Sequence, residues 1–225
     1  MELLAHLLTA DPARPRFTVY DEHTASRLDF SAQTLDNWAA KVGNMLYEEL
    51  DLGPGSRIAI SVPCGWQSCV IALGALAAGV EYVFGEAAGA EANFCAAAHV
   101  PDQPAGDLVV VTDDPFGRGV AETGGTLPAG AIDFGPTVRF YGDRFPAPTP
   151  RLADLAEKAD LPAEARVLST DWTDRDGFRR TVLEPLAVGG SAVVATGMVT
   201  EERLAAIAEA EKATMRRSSR PSRRE

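Results

Sequence analysis

The amino-acid sequence predicts an α/β fold with a layered, mostly parallel sheet and helices on both faces. Short runs of β-branched and aromatic residues alternate with longer segments whose apolar residues recur at helical spacing. The run at residues 57–62, RIAISV, has the apolar character of strands buried within parallel sheets. With 225 residues, 46% of them hydrophobic, the chain is long enough to bury a substantial core.

The first third of the chain is predicted to form a helix, a hairpin and a second helix. Residues 1–9 are apolar at helical spacing, and residues 17–20 and 27–30 are two β-type runs joined by a polar turn, which indicates an antiparallel hairpin. Ser31 is a suitable N-cap for a helix at 34–50, whose apolar residues recur in steps of three and four.

The middle third predicts a βαβ unit followed by an irregular stretch. A strand at 57–62, a helix at 66–78 and a strand at 81–84 form the βαβ unit. A second helix is expected at 90–98 and a strand at 107–112. Residues 113–150 are rich in glycine and proline, with short strands expected at 131–134 and 137–141.

The last third of the chain again alternates helices with strands, and it then becomes rich in basic residues and poor in apolar ones. We expect a helix at 151–158, strands at 166–170 and 191–196, a helix at 174–186 between them, and a helix from Glu201 onward. Residues 1–211 are therefore predicted to form one α/β domain. Residues 212–225 carry six basic residues against one acidic residue and few apolar ones, and are predicted to be a disordered tail.

Charge and cysteine usage limit the classes of partner. The net charge is −11 and the isoelectric point is near 4.8, so phosphate backbones and anionic lipid are repelled, and neither nucleic acid nor membrane is expected as a partner. The three cysteines form no CxxC pair and are read as reduced thiols of a cytoplasmic protein; abundant arginine and alanine favour a bacterial source. The three histidines are far apart, so no metal site is predicted.

Three segments resemble a known enzyme family. LDFSAQTL at 28–35 is similar to the LTYxEL motif near the start of AMP-forming acyl-CoA synthetases, and LAAGVEYVF at 76–84 is similar to their LKAGxAYLP segment. GFRRTVLEPLAVGGSAVV at 177–194 resembles a later helix and strand of that family. The resemblance covers residues 15–85 and 170–196 and implies the N-terminal subdomain of adenylate-forming enzymes. The chain looks most like a family of short, stand-alone bacterial proteins that share only this region.

The resemblance also identifies a candidate cofactor-binding loop, in altered form. In the enzymes, a Ser/Thr/Gly-rich loop ending in Pro-Lys-Gly wraps the ATP phosphates. Here the corresponding strand leads into DDPFGRG, in which Phe116, Gly117, Arg118 and Gly119 are the remnant of that loop. Arg118 is either one cationic phosphate contact or a solvated loop arginine, and the two aspartates before it would repel phosphate.

Two functional hypotheses remain. The family's adenine-binding segment, its ribose-binding aspartate and its domain with the catalytic lysine have no counterpart, so we predict no catalytic residues, no cofactor and no adenylation by this chain alone. In the first hypothesis, the chain is a non-catalytic module that binds a protein partner, a second copy of itself, or a nucleotide or acyl ligand. In the alternative, it is the N-terminal half of a split adenylate-forming ligase.

Three further features have two interpretations each. Cys64 is either a thiol activated by a helix N-terminus or a small packing residue. Asp171, Asp174 and Asp176 either bind a divalent cation or include the N-cap of a helix. Ser218 and Ser219, the serines of RRSSR, belong either to a patch for phosphorylation or for an anionic partner, or to an ordinary solubilising tail.

Overall fold

The structure, a computed structural model, describes residues 1–101 and 106–217 and confirms the α/β class. The chain forms two compact units, each with its own five-stranded sheet. The first unit consists of Met1 and Asp36–Pro150; the second consists of Glu2–Leu35 with Arg151–Glu225, described as far as residue 217. The sequence predicts a single domain over 1–211, whereas the core is divided between two sheets.

The described strands are β1 Pro15–Asp21, β2 Ser26–Ser31, β3 Arg57–Ser61, β4 Glu81–Phe84, β5 Ala92–Ala96, β6 Asp107–Val111, β7 Ile132–Asp133, β8 Arg166–Thr170, β9 Ser191–Thr196 and β10 Met215–Arg217. The described helices are α1 Ala5–Ala10, α2 Ala32–Glu48, α3 Trp66–Ala78, α4 Phe134–Phe140, α5 Arg175–Phe178, α6 Glu184–Ala187 and α7 Glu201–Ala210. Short 3-10 segments lie at Ala121–Thr123 and Leu152–Lys158, and a π-helical turn at Arg179–Leu183 joins α5 to α6.

The sheet of the first unit is entirely parallel, in the order β4-β3-β5-β6-β7. The predicted βαβ unit is confirmed, because β3 and β4 pair in parallel on either side of α3 in sequence. Almost every residue of α3 is buried, as expected for a helix that is apolar all round. Gly74 of α3 lies against Val42 and Ala39 of α2, so closely that a Cβ at this position would overlap the Val42 side chain.

The sheet of the second unit joins the two ends of the chain, in the order β10-β8-β9-β1-β2. The predicted hairpin is confirmed by the antiparallel pairing of β1 with β2. Strand β1 also pairs in parallel with β9, with Phe17 opposite Ala192. The early hairpin and the last third of the chain therefore share one core.

A buried carboxylate ties the end of α7 to three strands of this sheet. Glu211 is 9% exposed; it accepts hydrogen bonds from Tyr20 Oη at 2.5 Å and Arg27 Nε at 2.8 Å, and it also pairs with Arg166. Burial alone raises the pKa of Glu211, but the hydrogen bonds from Arg27, Tyr20 and Arg166 outweigh it and lower the pKa to about 2. The carboxylate is thus ionised wherever the protein is folded near neutral pH.

Two predicted elements are wrong in type. Residues 90–98 were expected to be helical because they are rich in alanine, but β5 lies between β3 and β6, where Phe94 and Cys95 are buried. The sequence predicts a strand at 137–141, but residues 137–140 lie in α4 and Tyr141 is its C-cap. Pro136 is the third residue of α4, and proline is tolerated in the first turn of a helix.

The predicted tail begins too early. Met215–Arg217 form β10, which pairs in parallel with β8, and Arg216 and Arg217 make ion pairs with Glu201 and Glu184. The neighbouring strand supplies the hydrogen bonds that the polar sequence did not indicate. The rest of the predicted tail, residues 218–225, lies outside the described residues. In the described part of the chain, no helix is long and apolar enough to cross a membrane.

Replacing Gly74 by alanine is expected to lower the free energy of unfolding by about 1–3 kcal/mol through overpacking against α2. This cost exceeds the roughly 0.5–1 kcal/mol that alanine gains over glycine inside a helix. Urea unfolding measures the difference. Gly142→Ala is the matched control, because a Cβ there meets no atom within 4 Å. Equal or greater stability of Gly74→Ala would contradict the close helix contact.

Replacing Glu211 by glutamine is expected to cost about 2–3 kcal/mol at pH 7. Because the folded pKa lies below the usual value of 4.5, the carboxylate's contribution is full above pH 4.5 and is lost as the pH falls towards 2. Wild type and variant should therefore converge in stability over that range, as followed by urea unfolding at several pH values. Glu201→Gln, an exposed carboxylate on the same helix, should change stability by less than about 0.5 kcal/mol.

Candidate functional site

The remnant loop follows the carboxyl end of β6 in the first unit and comprises residues 112–120, called here the β6 loop. The side-chain amide of Gln67 on α3 donates to the carbonyl oxygens of Thr112 at 3.1 Å and Asp114 at 3.0 Å. The Thr112 hydroxyl donates across the loop to the carbonyl of Arg118. The start of the loop is therefore attached to α3 of the βαβ unit, and its two ends are attached to each other.

The carboxylate of Asp114 occupies the centre of the β6 loop. Asp114 is 6% exposed, and its Oδ1 accepts the backbone N–H groups of Phe116 at 2.9 Å and Arg118 at 3.0 Å. Its Oδ2 accepts Arg118 Nε at 3.0 Å and Nη2 at 2.7 Å. The Arg118 guanidinium, together with these N–H groups, holds the pKa of Asp114 below its usual value.

Other acceptors take the remaining N–H groups of the loop. The N–H of Gly117 donates to the Asp114 carbonyl at 3.0 Å, that of Gly119 to Glu122 Oε2 at 2.6 Å, and that of Val120 to Asp133 Oδ2 at 2.8 Å. The N–H of Gly119 and the guanidinium of Arg139 lower the pKa of Glu122. Backbone N–H groups that converge in this way form anion-binding concavities in other proteins. In this loop the anions are the protein's own carboxylates.

Two glycines allow the loop to pack closely. Gly117 has φ of +67°, and a Cβ there would lie 2.9 Å from the Trp66 ring. A Cβ at Gly135 would overlap the Gly117 carbonyl and lie 2.9 Å from the Gly119 nitrogen. Trp66 also packs on Trp38, with ring centroids 5.0 Å apart. The conformation of the loop is therefore set by packing as well as by hydrogen bonds.

The structure brings the four predicted residues together in this loop in different environments. Gly117 and Gly119 are buried, whereas the Phe116 side chain is exposed. Arg118 is half exposed and paired with Asp114, an arrangement that neither of its two interpretations included. Whether these residues contact a phosphate stays a prediction.

Sequence reasoning missed the structural role of three carboxylates. Asp114 was read as repelling phosphate, and Glu122 and Asp133 were not singled out. A signal for Asp114 was present, since an aspartate two residues before a Phe-Gly turn commonly accepts local backbone N–H groups. No local signal indicates Asp133, which approaches Val120 only after β7 has joined the sheet.

Among the other candidate sites, Asp174 has a structural role. Asp174 caps α5 by accepting the N–H of Gly177 at 2.6 Å, in line with the capping interpretation, and the described residues contain no cluster of three or more side chains able to hold a metal ion. Cys64 lies between β3 and α3 and is partly buried. Ser218 and Ser219 lie outside the described residues.

Comparisons with known proteins place the chain in a family. No family model matches it. It is 37% identical over 215 residues to a TIGR03089 family protein of Mycobacterium tuberculosis (strain ATCC 25618 / H37Rv), covering 85% of this chain and 86% of that protein. The chain belongs to the TIGR03089 family.

Solved structures share the fold of this TIGR03089 family chain at low sequence identity. An acyl-CoA synthetase of Brucella canis matches with a TM-score of 0.77 and 17% identity, over 97% of this chain and 47% of that one. A benzoate CoA ligase of Burkholderia xenovorans LB400 matches with a TM-score of 0.68 and 17% identity, over 96% of this chain and 50% of that one.

An anthranilate CoA ligase solved with anthranoyl-AMP matches with a TM-score of 0.70 and 13% identity, over 95% of this chain and 48% of that one. The chain thus spans about half the length of these ligases. The predicted fold class is confirmed, and the fold is similar to that of about half of an acyl-CoA synthetase and of two CoA ligases.

Replacing Asp114 by alanine is expected to lower the free energy of unfolding by about 1–3 kcal/mol, because two N–H groups and the Arg118 guanidinium lose their acceptor. Inorganic phosphate should then stabilise the variant more than the wild type, since the vacated positions suit an oxyanion. Thermal unfolding with and without phosphate, at matched ionic strength, measures this increment. Asp113→Ala, an exposed neighbour, is the control. Equal phosphate effects on wild type and Asp114→Ala would contradict the anion-site geometry.

Proposed function

We propose that this chain is a non-catalytic binding module built on the fold of the N-terminal part of AMP-forming CoA ligases. The observation that carries the proposal is the β6 loop, in which the backbone N–H groups from Phe116 to Val120 already have acceptors within the protein. A loop in this state offers the triphosphate of ATP none of these five N–H groups as a free donor.

Charge supports the same conclusion. Adenylation requires cationic groups and N–H donors that stabilise the charge on the reacting α-phosphate and on the leaving pyrophosphate. The arginines beside the β6 loop, Arg118 and Arg139, are paired with Asp114 and Glu122. A phosphate that entered the loop would have to displace a buried carboxylate from its donors and would then face its repulsion.

The exposed aromatic residue of the loop suits a binding role. Phe116 is 76% exposed, although the loop that carries it is held by Asp114 and by the packing of Gly117 on Trp66. Aromatic side chains, phenylalanine among them, are enriched at protein interfaces relative to the rest of the surface. We therefore include a protein partner, or a second copy of the chain, among the binding partners. The three free cysteines fit a reducing compartment, and we place the module in the bacterial cytoplasm.

The alternative function is one half of a split adenylate-forming ligase. The observation that favours this alternative is that the chain matches 47–50% of the length of each of the three ligases. In that case another polypeptide would supply the missing segments, but the β6 loop would still have to release Asp114 from Arg118 before it could hold phosphate.

The test measures nucleotide binding at the β6 loop and adenylation activity in parallel. Mg-ATP and AMP are titrated into the protein while the amide NMR resonances of residues 116–120 are recorded, and exchange of pyrophosphate into ATP is measured with a range of carboxylic acids. We expect no saturable shift of these amides and no exchange. Acid-dependent exchange would overturn the non-catalytic proposal in favour of the split ligase. A saturable shift of the loop amides would show that the β6 loop binds nucleotide and would remove the observation on which the proposal rests.

A further inference from the structure

The second unit contains a cavity of about 510 Å³ at the carboxyl ends of β8 and β10, beside the first turn of α7. Its lining consists of Leu168, Ser169, Thr170, Glu201, Leu204, Arg216 and Arg217. Crevices at the carboxyl ends of parallel strands are where open α/β sheets bind ligands. The volume is in the range of small-molecule sites, roughly 300–1,000 Å³.

At the wall of the cavity formed by Arg217, guanidinium groups outnumber buried carboxylates. Glu184, whose side chain is 5% exposed, pairs with both Arg217 and Arg179. The π-helical turn makes the second pair geometrically feasible, because it sets residue 184 over residue 179, which a regular α-helix does not. The other carboxylate near Arg179 is Asp176, at 3.7 Å and mostly exposed. One buried carboxylate thus serves two guanidinium groups.

At the wall formed by Arg216, the positive charge of the guanidinium is balanced by a weak ion pair. Arg216 pairs with Glu201 at 2.7 Å, and both side chains are largely exposed. Ion pairs of this kind contribute about 0–1 kcal/mol, so an incoming anion competes with Glu201 for the guanidinium at small cost.

A buried hydroxyl with unmet hydrogen-bonding capacity belongs to the wall formed by Arg217, because Ser169 lies opposite Arg217 in the pairing of β8 with β10. Ser169 is 2% exposed, and no described group forms a hydrogen bond with its Oγ. An unsatisfied buried hydroxyl is unfavourable for folding, which is a reason to look for a ligand that satisfies it. Rotation about the single χ1 angle of serine changes the direction of this donor. Leu168 and Leu204 add an apolar surface beside these groups.

We propose that this cavity binds a small metabolite bearing a carboxylate or phosphate group, held by Arg216 and Arg217 and hydrogen-bonded by Ser169. The inference deepens the proposed function and rests on it, because it assigns a ligand class and a site to the binding module. It uses no residue of the β6 loop, so the two can fail separately.

The experiment uses the full chain and two probes, inorganic phosphate and acetate, at constant ionic strength. Amide NMR resonances of residues 168–170 and 201 are expected to shift saturably with at least one probe, and the probe that binds more tightly identifies the anionic group. Arg217→Gln should weaken binding by about tenfold or more, because a charge-assisted hydrogen bond is lost. Ser169→Ala should weaken binding severalfold while leaving stability unchanged or higher, because it removes an unsatisfied hydroxyl.

Two controls separate the cavity from general anion binding. Arg151→Gln removes an exposed arginine of the same unit, paired with Asp154, and should leave binding unchanged. The triple variant R220Q/R223Q/R224Q removes three basic residues that follow β10 in sequence, and should also leave binding unchanged.

The proposal is overturned if neither probe shifts these amides saturably. It is also overturned if the triple variant abolishes the shifts, or if Arg217→Gln and Ser169→Ala both bind as the wild type does. Nucleotide-induced shifts at residues 116–120 would instead overturn the proposed function and leave the cavity proposal standing.

Discussion

The buried carboxylate of Asp114 is the constraint on which the functional interpretation depends. It gathers two backbone N–H groups and a guanidinium within 3.0 Å and so converts a glycine-containing loop that could receive an anion into a closed turn. Glu122 and Asp133 extend the same arrangement by one N–H group each. The backbone of this loop has N–H groups that would suit an anion. The protein's own carboxylates occupy the positions that such an anion would take. Fold and function therefore have to be argued separately for this chain.

The second unit depends on pairing between distant parts of the chain. Strand β1 lies between β9 and β2, so the sheet is complete only when the first and last parts of the sequence meet. Glu211 reinforces this junction by joining α7 to Tyr20, Arg27 and Arg166. Contacts of such long sequence separation form slowly because loop closure must precede them. The same sheet carries β10 at its edge, which is how Arg216 and Arg217 come to line a cavity.

Local sequence patterns predicted most elements but not their arrangement. The bounds of α3, β4, β8 and β9 follow from apolar runs that end at glycine, proline or polar residues, and the structure has them as expected. Strand β5 and helix α4 were assigned the wrong type, because alanine content and β-branched residues are weak indicators once neighbouring strands or a first-turn proline decide the outcome. The candidate loop was located from the resemblance, and a local pattern was present for Asp114, but the hydrogen bond that Val120 donates to Asp133, 13 residues away in sequence, is a tertiary contact that no local pattern indicates.

The β6 loop and the cavity of the second unit differ in how fully their donors and arginines are paired with groups of the protein. In the β6 loop, the carboxylates equal or exceed the cationic groups and accept the N–H groups from Phe116 to Val120 apart from that of Gly117, which donates to a carbonyl. Around the cavity of the second unit, a single buried carboxylate, Glu184, serves two arginines and an exposed glutamate pairs with a third arginine, while among the described residues a buried serine hydroxyl has no partner. Unsatisfied capacity, rather than the presence of arginine or glycine, is what marks a binding site. By that criterion we propose a structural role for the loop that sequence resemblance singled out, and we propose that the ligand binds at the carboxyl ends of β8 and β10.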